Sequence, residues 1–150
     1  MAIVTERRYE PLIDDPDDYR PNSEFALVFD PETPSGDYVH DLVVLFEKLA
    51  PGDRIPVHTH PKEELIIIDD GSAEVIMGDE RHSVEAGAVV FVPAGRPHGV
   101  HNTTETVVHL HGIFPSSAIE IHYMERNPAP GTEGDPPQPL LTIDVREVSS

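Results

Sequence analysis

Sixteen prolines are the strongest constraint on what this chain of 150 residues can fold into. Each interior proline removes a backbone donor and clashes with the preceding turn of a helix, so long helices are disfavoured throughout. The prolines also divide the chain: five fall in residues 1–34, five in 128–139 and six between. The middle is therefore expected to hold the packed core, flanked by extended arms at 1–34 and 126–150.

Within 35–125, short apolar runs alternate with turn residues. Residues 39–49 are mostly apolar and β-prone. Runs at 65–69 and 73–77 flank Asp70-Gly71, a dipeptide suited to a two-residue hairpin turn. Gly78-Asp79 separates two further runs, 89–92 stops at Pro93, and 107–114 and 118–124 complete the set. Many short strands with little helical periodicity imply an all-β sandwich or barrel. In the first arm, Asp14-Asp15-Pro16-Asp17-Asp18 reads as a solvated loop, because it lacks the ligand spacing and glycine of a calcium loop. The second arm reads as an extended linker over 127–139, followed by Leu141, Ile143 and Val145 in strand alternation.

Charge narrows the partners. Ten Lys and Arg against 28 Asp and Glu give −18, which repels phosphate backbones and anionic lipid. Neither nucleic acid nor membrane is an expected partner. Cysteine is absent, which rules out disulfides, thiolate metal sites and a cysteine nucleophile. No apolar run approaches the ~20 residues of a membrane span. No apolar stretch follows the arginines of MAIVTERRYEPLIDD, so a cytoplasmic protein is the expectation.

All nine histidines fall between residues 40 and 122. His58 and His60 sit at i and i+2, on one face of one strand. Glu64 has the same parity at the start of the next strand and can fold back across a Pro61-Lys62 turn. His98 follows Pro93-Ala94-Gly95-Arg96-Pro97 and can supply a fourth group. Three imidazoles and a carboxylate suit one divalent Fe, Mn, Ni, Zn or Cu ion. His40, His82, His101 and His122 carry no such pattern.

These residues stand in two glycine-marked motifs, and here the chain resembles the cupin family. Gly52-x5-His58-x-His60-x3-Glu64-x6-Gly71 fits the first cupin motif at every position. Gly87-x5-Pro93-x-Gly95-x2-His98-x3-Asn102 fits the second, with the 15 residues 72–86 between them, as in small microbial cupins. The resemblance implies a double-stranded β-helix, or jelly-roll barrel, over 35–125. It also implies that His58, His60, Glu64 and His98 hold one divalent metal inside.

Parity extends this to a pocket. A two-residue turn at Asp70-Gly71 pairs 66 with 75 and 64 with 77, placing Ile66, Val75 and Met77 beside Glu64. A similar turn at Thr103-Thr104 sets His98 against His109 and Arg96 against His111, making both histidines candidate catalytic groups. Val108, Leu110 and Phe114 then face outward and need cover. That need, together with the strand-like pieces in the arms, implies a homodimer in which an arm packs on the neighbouring barrel. Two open positions on a six-coordinate ion imply a metalloenzyme for a small molecule, with dioxygenase chemistry ahead of isomerase or lyase chemistry. The alternative is a non-catalytic barrel that binds a small ligand.

Overall fold

The computed structural model describes residues 6–28, 41–116 and 118–144. His40, Phe29, Val145 and the arm residues 29–34 lie outside them. Among the described residues every regular element is a strand. In chain order these are β1 (Glu10–Leu12), β2 (Arg20–Val28), β3 (Val43–Leu49), β4 (Arg54–Thr59), β5 (Glu64–Asp70) and β6 (Ser72–Met77). They continue with β7 (Glu80–Glu85), β8 (Val89–Val92), β9 (His98–His101), β10 (Val108–Phe114), β11 (Ala118–Tyr123) and β12 (Leu141–Asp144). No helix among them is long and apolar enough to cross a membrane.

The strands form two antiparallel six-stranded sheets that enclose a common core. The first runs β1-β2-β3-β10-β5-β8 and the second β12-β11-β4-β9-β6-β7. Sequence neighbours often lie in opposite sheets, as a double-stranded β-helix requires. Each strand turns one side chain in two toward the interior. Ile66 and Ile68 of β5, Val75 of β6, Val100 of β9 and Leu110 of β10 meet there, all at most 4% exposed. Full burial of such aliphatic side chains stabilises the fold by about 1.5–3 kcal/mol each.

Two expected hairpins are corners instead. β5 and β6 join at Gly71 but belong to different sheets, so 66 does not pair with 75. Ile66 faces Val90 and Gly112, whereas Val75 faces Val100 and His82. Gly71, at φ 87°, turns the chain across the barrel, and any side chain there would crowd Val107 and Val108. Gly78 does close a hairpin, pairing Met77 with Glu80. The step from β9 to β10 is likewise a change of sheet. Asn102, fully buried, organises it by donating to the Leu49 and Thr106 carbonyls and accepting from Thr104.

The second corner overturns the parity expected for β10. Val108, Leu110 and Phe114 are buried, at 0%, 4% and 4% exposure, so they are core and need no outside cover. His109 and His111 face the other way, toward the outside of the first sheet.

Both arms fold onto their own barrel. β2 pairs with β3, and β12 pairs with β11. The acidic loop is not solvated: Asp17 and Asp18 are 1% and 6% exposed. Asp17 accepts from Arg126 Nε at 2.5 Å and from the Gln138 backbone N–H at 2.9 Å. Asn127 donates to Asp18 at 3.0 Å and to the Arg54 carbonyl at 2.8 Å. This clamp gives the acidic run buried partners, which composition could not show.

Candidate metal centre

His58 ends the inward row of β4, and the antiparallel partner directly opposite it is His98, the first residue of β9. Partners facing each other in a sheet carry Cβ atoms about 4.5–5.5 Å apart, so the two rings lie side by side. Their centroids are 4.3 Å apart. His60 follows two residues after His58 and brings a third ring to within 4.6 Å of the first. Glu64 enters from the opposite sheet. Its carboxylate fills a gap in the inward row of β10, where Gly112 stands between Leu110 and Phe114. A Cβ at 112 would overlap Glu64 Oε2.

The orientation of the three rings decides what they can do. His58 Nδ1 lies 2.6 Å from the Pro56 carbonyl, His60 Nδ1 2.9 Å from the Glu120 carbonyl and His98 Nδ1 2.9 Å from the Arg96 carbonyl. A carbonyl oxygen only accepts, so each Nδ1 carries the proton and each neutral ring presents a bare Nε2. All three Nε2 atoms converge. His58 Nε2 and His60 Nε2 are 3.0 Å apart, and Glu64 Oε1 lies 3.1 Å from His98 Nε2 and 3.6 Å from His60 Nε2. Lone pairs facing one another at such distances repel unless a cation lies among them. Ring N–H groups tied to carbonyls are the support that metal-ligating histidines characteristically have.

Ionisation fits the same purpose. Burial, followed by the charges of His98 and His60, pulls His58 down to about 3, so its ring is neutral at ordinary pH. Burial alone would raise Glu64, but the facing imidazoles of His60 and His98 outweigh it and hold the carboxyl at about 2. A neutral imidazole and an ionised carboxylate are the forms that coordinate metals. The His58, His60 and His98 group could thus hold a metal ion, its donor atoms all lying within 4.8 Å of one another.

A cavity of about 40 Å³ adjoins this group, room for two or three waters. Its wall includes Ile66, together with Leu45, Ile55 and Leu110. Val75 is core behind that wall, and Met77 packs on the core opposite His98. Arg96 is exposed and contributes only the carbonyl that holds His98. His109 and His111 are absent from the site. His111 bonds Asp69 Oδ2 at 2.7 Å on the outer face, and His109 stands opposite Lys48. The turn before β10 is a corner, so parity counted through a two-residue hairpin came out reversed.

Glu47 is the ionisable group that sequence reasoning missed. It lies in the cavity wall, 5% exposed, and accepts from Arg20 at 3.2 and 3.3 Å. Arg20 also binds both oxygens of Asp18, at 2.7 and 2.8 Å. One guanidinium therefore serves two buried carboxylates. Burial is the largest influence on Glu47 and raises its pKa despite Arg20, with Asp18 and Glu64 adding repulsion. The signal was available: Glu47 shares the parity of Val43, Leu45 and Leu49, a charge on the apolar face of its strand. A second cavity of about 90 Å³ lies against His60, between Lys62, Phe114, Ser116 and Glu120.

Comparison with known proteins agrees with this architecture. Residues 45–114 match the family model of the cupin domain. The polyketide cyclase RemF of Streptomyces resistomycificus superimposes with a TM-score of 0.66 at 19% identity, over 91% of this chain and 94% of that one. An RmlC-like cupin from Shewanella frigidimarina gives 0.56 at 18% identity, over 74% and 86%. These likenesses show the fold. A 59-residue stretch, 39% of this chain, is 32% identical to the HTH-type transcriptional activator RhaS of Mannheimia succiniciproducens, spanning 22% of that protein. With both glycine-marked motifs on the turns and strand ends around one histidine cluster, residues 45–114 of this chain match a cupin-2 type domain.

Proposed function

We propose that His58, His60, His98 and Glu64 together bind one divalent transition metal, and that the barrel is a metalloenzyme for a small polar molecule. The observation that carries this reading is the convergence of three Nε2 atoms whose Nδ1 protons are all committed to backbone carbonyls. Held by these four side chains, the ion would supply Lewis-acid polarisation or, as iron, redox chemistry with dioxygen. Dioxygenase chemistry stands ahead of isomerase or lyase chemistry, by analogy with other barrels of mixed imidazole and carboxylate ligation.

The chain's own residues divide the remaining work. The Pro56, Glu120 and Arg96 carbonyls fix ring tautomer and orientation. Leu45, Ile55, Ile66 and Leu110 exclude bulk water from the inner cavity. Glu47 is the one ionisable side chain in the cavity wall outside the donor set, so we assign it the holding of a proton at Oε1 or Oε2. The cavity against His60 offers the route by which a small molecule reaches the donors.

A second reading is a non-catalytic module that binds a small ligand. The match to part of a transcriptional activator favours it. Elemental analysis of protein purified without an affinity metal, followed by oxygen-uptake screening, separates the two. Near-stoichiometric iron with substrate-dependent uptake supports the oxygenase. Zinc or nickel without uptake moves the reading to isomerase, lyase or binding module. A protein that neither contains nor takes up metal defeats the site itself.

A further inference from the structure

Three buried carboxylates and one guanidinium stand in or behind the wall of the inner cavity. Asp18 precedes β2, Arg20 opens it, Glu47 lies in β3 and Glu64 opens β5. With all four ionised the group carries −2, because the rings of His58, His60 and His98 are neutral. A divalent ion among the donors cancels that charge. Without the ion the same charge is buried and uncompensated, a state that proteins relieve by binding a proton. Geometry tells which carboxyl takes it. Arg20 meets Asp18 through Nε and Nη2 at 2.7 and 2.8 Å, the length of a charge-assisted pair. Asn127 donates to Asp18 as well, at 3.0 Å. Glu64 is faced by His60 and His98 and stays ionised. Glu47 has the smallest share. Its two contacts with Arg20 are longer, at 3.2 and 3.3 Å, and no other side chain donates to it among the described residues. The other titratable groups of the wall, Glu64, His58 of β4 and His98 of β9, bring it no positive charge while the rings are neutral. Burial accordingly lifts its pKa above the usual 4.5. Each carboxyl oxygen has a second lone pair, so a proton fits there while Arg20 still donates.

We propose that Glu47 is a proton site coupled to the metal, protonated in the empty barrel and ionised once a divalent ion occupies the four donors. The proposal rests on the donor set put forward above. On loading, the Glu47 O–H bond breaks, its electron pair stays on the oxygen and the proton leaves to solvent. Nothing is oxidised or reduced. The barrel thus acquires a base in its cavity in the same event that brings the ion. Asp18 is a positioning residue in this scheme, since it engages the guanidinium that would otherwise turn fully to Glu47. The arm before β2 thereby reaches the site without touching the ion.

Calorimetric titration of the full metal-free chain with zinc tests this, at a pH about two units above the ordinary carboxyl value. Repeating it in two buffers of different ionisation enthalpy counts the protons released per ion bound. Protons from the donors are common to wild type and Glu47→Gln, so the difference reads Glu47 alone. The expected difference is about one proton, with zinc stoichiometry equal in both. Apparent zinc affinity should then gain about tenfold more per pH unit in wild type than in the variant. Asp18→Asn should release the guanidinium to Glu47, ionise it before metal arrives and bring the count down to that of Glu47→Gln. A merely structural role for Asp18 would not move the proton count. If a variant fails to fold, infrared difference spectra of wild type decide. The C=O stretch of a protonated carboxylic acid, above the amide band, should be lost when zinc is added. Equal proton counts in wild type and Glu47→Gln, or no loss of that band, overturn the proposal and leave the donor set standing. A chain that takes up no zinc defeats the donor set and this proposal with it.

Discussion

A single methyl group at position 112 tests how the Glu64 carboxylate is held. Gly112→Ala puts a Cβ where Glu64 Oε2 now lies, so the carboxylate must swing from the three imidazoles while the neighbouring core stays apolar. Metal affinity should fall about 10–100-fold, the usual cost of disturbing a ligand's support, as read by competition with a chelator. His60→Ala or His98→Ala should cost more than Glu64→Gln, because the amide keeps the volume and one oxygen donor. Full metal content in His60→Ala would contradict the donor set. Glu47→Gln should leave metal content intact and, once a substrate is found, lower kcat about 10²–10⁴-fold. Acid should act through His58. Its folded pKa of about 3 lies below the ordinary 6.5, so the unfolded chain takes up the proton first. The stability it contributes is present above pH 6.5 and is lost as pH falls from there toward 3, in the same direction as for Glu64. The metal-free protein should therefore melt at lower temperature across that window, and His58→Ala should flatten the slope. The histidines were legible because parity and glycine spacing mark them locally. The parity of Glu47 with Val43 and Leu49 marked it as inward, but its role was not legible, because that depends on Arg20, 27 residues away in sequence.

At the scale of elements, turn chemistry showed where strands end but not where they go next. Asp70-Gly71 and Gly78-Asp79 look alike, and both glycines adopt positive φ, 87° and 59°. One is a corner between sheets and the other a hairpin. The difference lies in which strand waits on the far side, which is a property of the closed barrel. The acidic loop was misread for a related reason, since its partners come from the opposite end of the chain. Arg126 is the centre of that contact, donating to Asp17, to the Pro16 carbonyl at 2.9 Å and to the Thr132 carbonyl at 2.6 Å. Arg126→Ala would leave Asp17 buried without its cation, a loss of about 3–5 kcal/mol. Urea unfolding should show it as a lower midpoint at unchanged slope. A change below 1 kcal/mol would mean that solvent reaches the loop.

For the whole molecule, the clamp has a consequence in time. Asp17 and Gln138 are bonded across 121 residues, and Asp18 and Asn127 across 109. During synthesis at about 5–20 residues per second, the early carboxylates would wait roughly 6–24 s for their partners to emerge. Until then β2 has a neighbour in β3, but the loop before it has nothing to close upon. A nascent chain halted after residue 125 should be cut by protease within 14–20, whereas the released protein should resist there. Residues 126–138 would then act as a latch, so that they must emerge before the loop at 14–18 is committed.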